Sequence, residues 1–196
     1  MTCIGVLALQ GDFAEHMAAL RNTRVETIEV RVAADLDRVD ALVIPGGEST
    51  TITTLMREYE IDQKVKALAA QGLPVLGTCA GMIVLAQHIV GMEQASLGLI
   101  DIDVRRNAFG RQVDSFEADL KIPVLGELPV RAVFIRAPIV ERTGPSVQVL
   151  ARLSNGTPVA AQQGSVLVTA FHPELTSDTR FHRYFVSLAA RRKAEG

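Results

Sequence analysis

The chain has 196 residues, of which 48% are hydrophobic, and its formal net charge is −2. This length and apolar content predict a globular protein with one full core, and we expect residues 1–196 to form a single domain. The near-neutral charge excludes the basic surface that nucleic-acid-binding proteins need.

The number of cysteines and the length of the apolar segments indicate the cellular compartment of the protein. The chain has only two cysteines, which is typical of a reducing compartment and not of a disulfide scaffold. Its apolar start lacks the basic flank of a signal peptide, and no apolar run approaches the length of a membrane span. We therefore expect a cytoplasmic protein that does not contact a membrane.

Short apolar strands alternate with amphipathic helical stretches in the first half of the chain. This alternation predicts a mostly parallel sheet with helices on both faces, a three-layer αβα arrangement in which ligands bind at the carboxyl ends of the strands. The predicted strands span residues 4–9, 27–32, 41–44 and 74–78, and the predicted helices span residues 13–22, 50–58, 61–71 and 80–88.

A glycine-rich turn follows the third predicted strand, in the segment Pro45-Gly46-Gly47-Glu48-Ser49. Backbone N–H groups at such a turn suit an oxyanion or an anionic ligand. The segment lacks the lysine of a phosphate-binding P-loop, so we do not expect a nucleotide. The alternative is a simple turn with Ser49 or Thr50 capping the next helix, and both interpretations can hold together.

The fourth predicted strand leads into Gly77-Thr78-Cys79-Ala80-Gly81. The pattern G-x-C-x-G is the thiol counterpart of the G-x-S-x-G nucleophile elbow, in which glycines allow a sharp turn between strand and helix. A cysteine at a helix N-terminus is favoured as the thiolate. The alternative is that Cys79 is a buried apolar residue, which is what we expect of Cys3.

The middle of the chain changes to strict alternation of apolar and polar residues, which indicates half-buried strands at residues 100–105 and 115–122. We expect these strands to be antiparallel neighbours joined through residues 106–114. By parity Arg106 falls on the apolar face and needs a partner, unless the strand ends at Arg105. Arg136 interrupts another apolar run.

Further strands are predicted at residues 147–153, 158–163 and 166–171, and a closing helix at residues 179–193.

The last predicted strand ends in His172-Pro173-Glu174, where a histidine could serve as a base and a carboxylate could orient it. The alternative is that these residues only begin a polar loop. His16, His88 and His182 are expected to be structural or solvated. The histidines and cysteines lack zinc-ligand spacing, so neither a metal nor another cofactor is expected.

The order of the three motifs, Pro-Gly-Gly-Glu-Ser, Gly-Thr-Cys-Ala-Gly and His-Pro-Glu, resembles that of the class I (triad) glutamine amidotransferases. The resemblance covers nearly the whole chain, narrows to the glutaminase subunits of pyridoxal 5'-phosphate synthases, and implies a flavodoxin-like αβα fold with an added antiparallel segment. The narrowing depends on two segments specific to this branch, Arg106-Asn107-Ala108-Phe109-Gly110-Arg111-Gln112-Val113-Asp114-Ser115-Phe116-Glu117 and Phe134-Ile135-Arg136-Ala137-Pro138. The resemblance also includes Gly5-Val6-Leu7-Ala8-Leu9-Gln10-Gly11, Pro45-Gly46-Gly47-Glu48-Ser49-Thr50-Thr51 and Phe171-His172-Pro173-Glu174-Leu175-Thr176.

The resemblance implies hydrolysis of L-glutamine by Cys79, His172 and Glu174, with no cofactor. Gly47 and Ala80 are the candidates for the oxyanion hole. The residues implied to contact glutamine are Gly47, Glu48, Ser49, Arg106, Ile135 and Arg136.

The family also implies a partner for the ammonia, because the chain has no room for a second domain that consumes it. That partner is a synthase subunit, whose dodecameric core carries the glutaminase subunits on its outside. Glutaminases of this family are weakly active until they dock, and we expect Gln10 and Gly11 to couple docking to activation.

Two other functions remain open from the sequence. A stand-alone γ-glutamyl hydrolase could use the same three residues and would need no partner. A non-catalytic binding module could share the fold, although an incomplete triad would favour that interpretation more than this sequence does.

Overall fold

A computed structural model describes residues 1–106 and 115–195, which form twelve strands and five α-helices. The strands are β1 (Cys3–Leu7), β2 (Glu26–Val30), β3 (Ala41–Ile44), β4 (Val75–Thr78), β5 (Ala86–Ile89), β6 (Ile100–Arg105), β7 (Ser115–Leu120), β8 (Val130–Ile135), β9 (Ile139–Thr143), β10 (Gln148–Arg152), β11 (Pro158–Gln163) and β12 (Val166–Thr169). The helices are α1 (Phe13–Arg21), α2 (Ser49–Glu58), α3 (Ile61–Ala70), α4 (Ala80–Leu85) and α5 (Arg180–Glu195).

The central sheet has seven strands in the order β10-β11-β12-β4-β3-β1-β2. Strands β2, β1, β3, β4 and β12 run parallel, whereas β11 pairs antiparallel with both β12 and β10. Every residue of β1, β3, β4 and β12 is buried, as expected for parallel strands covered on both faces. The predicted mostly parallel α/β sheet with an added antiparallel segment is confirmed.

The chain reverses its direction across this sheet, and the reversal places helices on both faces. From β1 the chain passes through α1 to β2 at one edge, and from β3 it passes through α2 and α3 to β4 on the other side. Right-handed crossovers in opposite directions put their helices on opposite faces. The resulting layers are helix, sheet and helix, which confirms the three-layer prediction.

Helix α4 is shorter than the sequence predicts. The prediction extended it to residue 88, but it ends at Leu85, and Ala86–Ile89 forms strand β5. The carbonyls of Val84 and Leu85 accept hydrogen bonds from the N–H groups of Leu97 and Leu99. These long-range bonds replace the ones that would have continued the helix, so the prediction for residues 86–88 was wrong.

The predicted pairing of the two alternating strands was also wrong. Strand β6 lies in a three-stranded sheet with the order β5-β6-β9, and β7 pairs antiparallel with β8 in a separate two-stranded sheet. The expectation that residues 106–114 join the two strands falls mostly on residues 107–114, which lie outside the described residues. Within the described ranges, no helix is long and apolar enough to cross a membrane.

Four phenylalanines connect the small β7–β8 sheet to the main core. The rings of Phe116 and Phe134 stack at a centroid distance of 4.4 Å, and Phe134 packs edge-on against Phe171 at 5.7 Å. Phe171 in turn packs edge-on against Phe181 of α5 at 5.7 Å. Because Phe171 lies two residues beyond the end of β12, this cluster fixes the end of β8 beside the carboxyl edge of the main sheet.

We expect Phe134→Ala to lower the free energy of unfolding by about 3–5 kcal/mol, because it leaves a cavity at a fully buried ring. Leu128→Ala is the control: Leu128 is 73% exposed, and its loss should change stability by less than about 0.5 kcal/mol. Chemical denaturation of both variants measures the difference. Equal stabilities would contradict the assignment of Phe134 to the core.

Candidate active site

Four loops that follow parallel strands meet at the carboxyl edge of the central sheet. They follow β1, β3, β4 and β12, and they carry Gln10, Gly47, Cys79 and His172 respectively. Parallel strands place all their carboxyl ends on one side, so residues far apart in sequence converge there. The candidate site is built from these loops and from the ends of β6 and β8.

Cys79 occupies a strained backbone conformation between β4 and α4, with φ of 50° and ψ of −105°. Such a conformation is costly for a residue with a side chain and is typical of the nucleophile elbow. The flanking glycines are required by close contact: a Cβ on Gly81 would collide with the carbonyl oxygen of Ile44, and one on Gly77 would lie 2.6 Å from the backbone of Gly81. The local sequence therefore folds into the predicted sharp turn.

His172 and Glu174 form a short buried hydrogen bond. His172 Nδ1 lies 2.6 Å from Glu174 Oε1, and the two side chains are 5% and 0% exposed. Pro173 begins a 3-10 turn that places the carboxylate beside the ring, and the N–H of His172 donates to the carbonyl of Val133 at 2.8 Å. The structure therefore brings these two predicted site residues into direct contact, and their joint action stays a prediction.

The imidazole of His172 lies between a thiol and a carboxylate. Burial alone would lower the pKa of His172, but hydrogen bonds to Cys79 and Glu174 and the negative charge of both groups raise it to about 10. Burial raises the pKa of Glu174, and the neighbouring His172 opposes that rise. At neutral pH the ring is therefore an imidazolium that can donate a proton.

The glycine-rich loop after β3 packs against the ring of His172 and the loop after β1. A Cβ on Gly46 would lie 3.1 Å from His172 Nδ1, so the backbone passes close to the imidazole. The N–H of Glu48 donates to Gln10 Oε1 at 2.7 Å. Gly47 has a φ of 153°, and a Cβ there would collide with Gln10 Oε1. Gln10 thus contacts the loop on which the oxyanion candidate Gly47 lies.

Arg106 is paired with Glu48 across the mouth of the site. Strand β6 ends at Arg105, and the Arg106 guanidinium donates to Glu48 Oε1 at 2.7 Å and to Gln94 Oε1 at 3.2 Å. Ser49 also donates to Gln94 Oε1, at 3.2 Å. Hydrogen bonds from Thr50, together with the charge of Arg106, lower the pKa of Glu48. Three of the predicted substrate residues are therefore in one polar cluster.

The end of β8 closes the other side of the site. Cys79 Sγ lies 3.9 Å from the carbonyl oxygen of Ile135, and this contact ties the strand to the thiol. Arg136 has a φ of 42°, a second strained conformation for a residue with a side chain. Among the contacts of the described residues, Arg136 forms no hydrogen bond or ion pair with the other site residues.

Two histidines that no sequence motif marks lie beside the candidate triad. Of the two alternatives expected for His16, structural or solvated, the structure has the first: the residue is fully buried, and its Nε2 lies 3.2 Å from Glu174 Oε2. His182 is also fully buried, 3.1 Å from His16. A signal was present, because His16 falls on the buried stripe of α1 with Met17 and Leu20.

A second carboxylate, that of Asp12, approaches the same imidazole, at 3.6 Å from Nδ1. Asp12, His172 and Glu174 each offer one atom within 4.8 Å of the others, which is close enough to consider a cation. The hydrogen bond between His172 Nδ1 and Glu174 already uses that ring nitrogen, so the set fits an orientation network better than a metal centre. The burial of Asp12 raises its pKa.

Triad hydrolases on three-layer α/β folds carry a nucleophile at such an elbow and a buried histidine–carboxylate pair at the carboxyl edge of the parallel sheet, and the described residues have both features. The model of the SNO glutamine amidotransferase family matches residues 6–191. The chain belongs to this family.

Curated relatives are similar over nearly their whole length. A protein of Herpetosiphon aurantiacus named "Pyridoxal 5'-phosphate synthase subunit PdxT" is 54% identical over 188 residues, which is 94% of this chain and 99% of the relative. A protein of Mycobacterium leprae with the same name is 57% identical over 190 residues, which is 94% of this chain and 95% of the relative.

Solved structures agree with the fold. A structure described as a glutamine amidotransferase superimposes with a TM-score of 0.91 at 53% identity, covering 95% of this chain and 98% of that one. A structure of PurLQS from Thermotoga maritima has a TM-score of 0.68 at 15% identity, covering 95% of this chain and 97% of that one. The second likeness concerns the fold alone.

The raised pKa of His172 predicts how stability depends on pH. The pKa is about 10 in the folded protein and about 6.5 in an unfolded chain, so the folded state binds this proton more tightly. The resulting stabilisation is complete below about pH 6.5 and is lost as the pH rises through about 10.

Between pH 7 and pH 10, wild type should therefore lose up to about 1.4 kcal/mol more per pH unit than His172→Asn. Denaturant unfolding at several pH values measures this slope. His88→Asn, at an exposed position on β5, is the control and should follow wild type. Parallel curves for wild type and His172→Asn would contradict the assignment of the proton to His172.

Proposed function

We propose that this chain is the glutaminase subunit of a pyridoxal 5'-phosphate synthase. It hydrolyses L-glutamine to L-glutamate and ammonia, and it passes the ammonia to a synthase subunit. The observation that carries this proposal is membership of the SNO glutamine amidotransferase family together with the contact of Cys79, His172 and Glu174 at one site. In this proposal residues 1–196 act as one glutaminase domain, and a cytoplasmic location stays a prediction from the sequence.

The first half of the reaction forms a thioester. The Cys79 thiolate attacks the side-chain amide carbon of glutamine, and the carbonyl electrons move to oxygen to give a tetrahedral oxyanion. When the oxyanion collapses, the C–N bond breaks and the His172 imidazolium gives its proton to the departing nitrogen, which leaves as ammonia. The side chain of Glu174 holds the ring in orientation and stabilises its charged form.

The second half regenerates the enzyme. The neutral imidazole of His172 takes a proton from a water molecule, which attacks the thioester carbon. The C–S bond breaks, the Cys79 thiolate leaves, and the product departs as the γ-carboxylic acid, which loses its proton to the solvent and becomes glutamate. Charge and protons balance, because His172 ends the cycle as the imidazolium with which it began.

The oxyanion needs donors that are already in place. We assign this role to the backbone N–H groups of Gly47 and Ala80. Ala80 is the first residue of α4, so its N–H lies among those without a partner inside the helix. Loss of one such donor typically costs about a hundredfold or more in rate.

Recognition of the amino-acid end of glutamine requires both signs of charge. Glu48 suits the α-ammonium group, and Arg106 or Arg136 suits the α-carboxylate. Gly47, Ser49 and Ile135 complete the proposed contacts, since they lie on the two segments that border Cys79. The existing pair between Arg106 and Glu48 holds two of these charges in a fixed relation.

The ammonia requires a receiver, and we propose the synthase subunit, in a dodecameric core that carries the glutaminases. Gln10 and Gly11 are the proposed coupling residues. In support, Gln10 Oε1 accepts from the N–H of Glu48, directly beside Gly47. A partner that moved Gln10 would therefore also change the loop of the oxyanion candidate.

Glutamate release from L-glutamine tests the function directly. We expect weak release by the purified chain alone, strong stimulation by its synthase subunit, and neither with Cys79→Ala, which removes the attacking sulfur. Full activity without the synthase would identify a stand-alone γ-glutamyl hydrolase, and extended γ-glutamyl substrates would then also be cleaved. Absence of release in every mixture would leave a non-catalytic binding module.

The coupling residue has its own test. We expect Gln10→Ala to lose most of the stimulation by the synthase, because the loop of Gly47 and Glu48 loses its hydrogen bond to the Gln10 side chain. Gln71→Ala is the matched control, since Gln71 caps α3 on the exposed surface. Synthase-stimulated rates that are equal in wild type and both variants would contradict the coupling role of Gln10.

A further inference from the structure

The second oxygen of the Glu174 carboxylate is buried and lacks a donor of normal geometry. Oε1 is hydrogen bonded to His172, whereas Oε2 forms no hydrogen bond with any part of the chain that the structure describes. A buried carboxylate oxygen without a donor is costly. His16 Nε2 lies 3.2 Å from Oε2, which is within reach of a hydrogen bond after a small rotation of either side chain.

Two neighbours restrict the proton positions on His16. Its Nε2 lies 2.9 Å from Thr78 Oγ1, and its Nδ1 lies 3.1 Å from His182 Nε2. If the proton were on Nδ1, the lone pair of Nε2 would face the negative Glu174 oxygen, which is repulsive. With the proton on Nε2, that N–H points towards Thr78 and Glu174, and Nδ1 accepts from the N–H of His182.

The unpartnered atom of His182 favours the same arrangement. Its Nδ1 is buried without a partner among the described residues. When His182 donates through Nε2, this Nδ1 carries only a lone pair. In the opposite arrangement it would carry an unpaired buried N–H, and orphaned N–H groups are the rarer and costlier defect.

Both histidines are neutral, so they can donate without competing for the charge of Glu174. Burial, together with the nearby His182 and His172, lowers the pKa of His16 well below its usual value. Burial lowers the pKa of His182 to about 4. His172 therefore remains the one imidazolium in contact with the carboxylate.

We propose that His16 is a positioning residue of the glutaminase reaction: its neutral ring donates Nε2–H to Glu174 Oε2, and His182 fixes the tautomer that makes this possible. The proposal rests on the proposed function and adds two helices to the site, because His16 lies on α1 and His182 on α5. The charged or titratable groups that face Glu174 are then His172, His16 and, from the loop before α1, Asp12.

Three variants separate positioning from packing. In His16→Leu we expect kcat for synthase-stimulated glutamine hydrolysis to fall about tenfold to a hundredfold with little change in KM, the cost of a hydrogen bond to a charged group. The acidic limb of the kcat/KM profile should move to higher pH, because Glu174 without its donor binds a proton more tightly. His16→Gln places an amide N–H near the position of Nε2 and should restore both values in large part.

Met17→Ala is the control for damage to α1. Met17 is a buried apolar neighbour of His16 on the same helix, so its loss should lower the melting temperature without moving the acidic limb. An unmoved limb and an unchanged kcat in His16→Leu would overturn the proposal, as would a limb that moves equally in Met17→Ala.

The tautomer can be observed without activity, which keeps this proposal separate from the proposed function. In wild type labelled with ¹⁵N-histidine, we expect His16 to show a protonated Nε2 and an unprotonated Nδ1 at pH 7. A protonated Nδ1 would overturn the proposal even if His16→Leu failed to fold. The expected tautomer in a protein that released no glutamate would instead support the hydrogen bond and reject the glutaminase function.

Discussion

The burial of one carboxylate is the constraint on which the rest of the site depends. The Glu174 side chain is fully buried, and a buried negative charge is tolerated only where a partner and hydrogen bonds compensate its lost hydration. His172 supplies the partner, 2.6 Å from Oε1. The fold must therefore hold the two residues against each other, and the Pro173 turn and the bond from His172 N–H to Val133 do so.

Features that depend on neighbouring residues in the chain could be predicted from the sequence. The buried parallel strands β1, β3 and β4 are continuous apolar runs. The turn at Cys79 is specified by its flanking glycines, because a Cβ at either one would collide with the backbone. Strand β5 could not be predicted, because residues 86–88 have helical periodicity and only the bonds from Leu97 and Leu99 end the helix. The pairing of strands could not be predicted for the same reason. Alternation of apolar and polar residues shows that β6 and β7 are half-buried, but it does not show which strand lies beside each.

The residues of the site likewise include some that the sequence predicts and others that it does not. Cys79, His172 and the glycine-rich loop are recognisable because their chemistry is encoded in short motifs. His16 and Gln94 carry no motif, and they join the site only because α1 and the segment before β6 pack against the loops. The helical stripe of α1 predicts that His16 is buried, but the identity of the group it meets depends on residues 78, 174 and 182, which only the tertiary fold brings together.

Three histidines lie within one connected cluster, and their different environments assign them different charges. His172 touches a thiol and a carboxylate, so its proton is held up to about pH 10. His16 and His182 are more deeply buried and touch each other, so a positive charge on either would be poorly hydrated and would repel the other. The negative charge of Glu174 is therefore paired with a single imidazolium, that of His172, on the side that faces Cys79. In the proposed reaction, proton transfer is therefore confined to that side, and the two neutral rings behind the carboxylate have the positioning role that we propose for them.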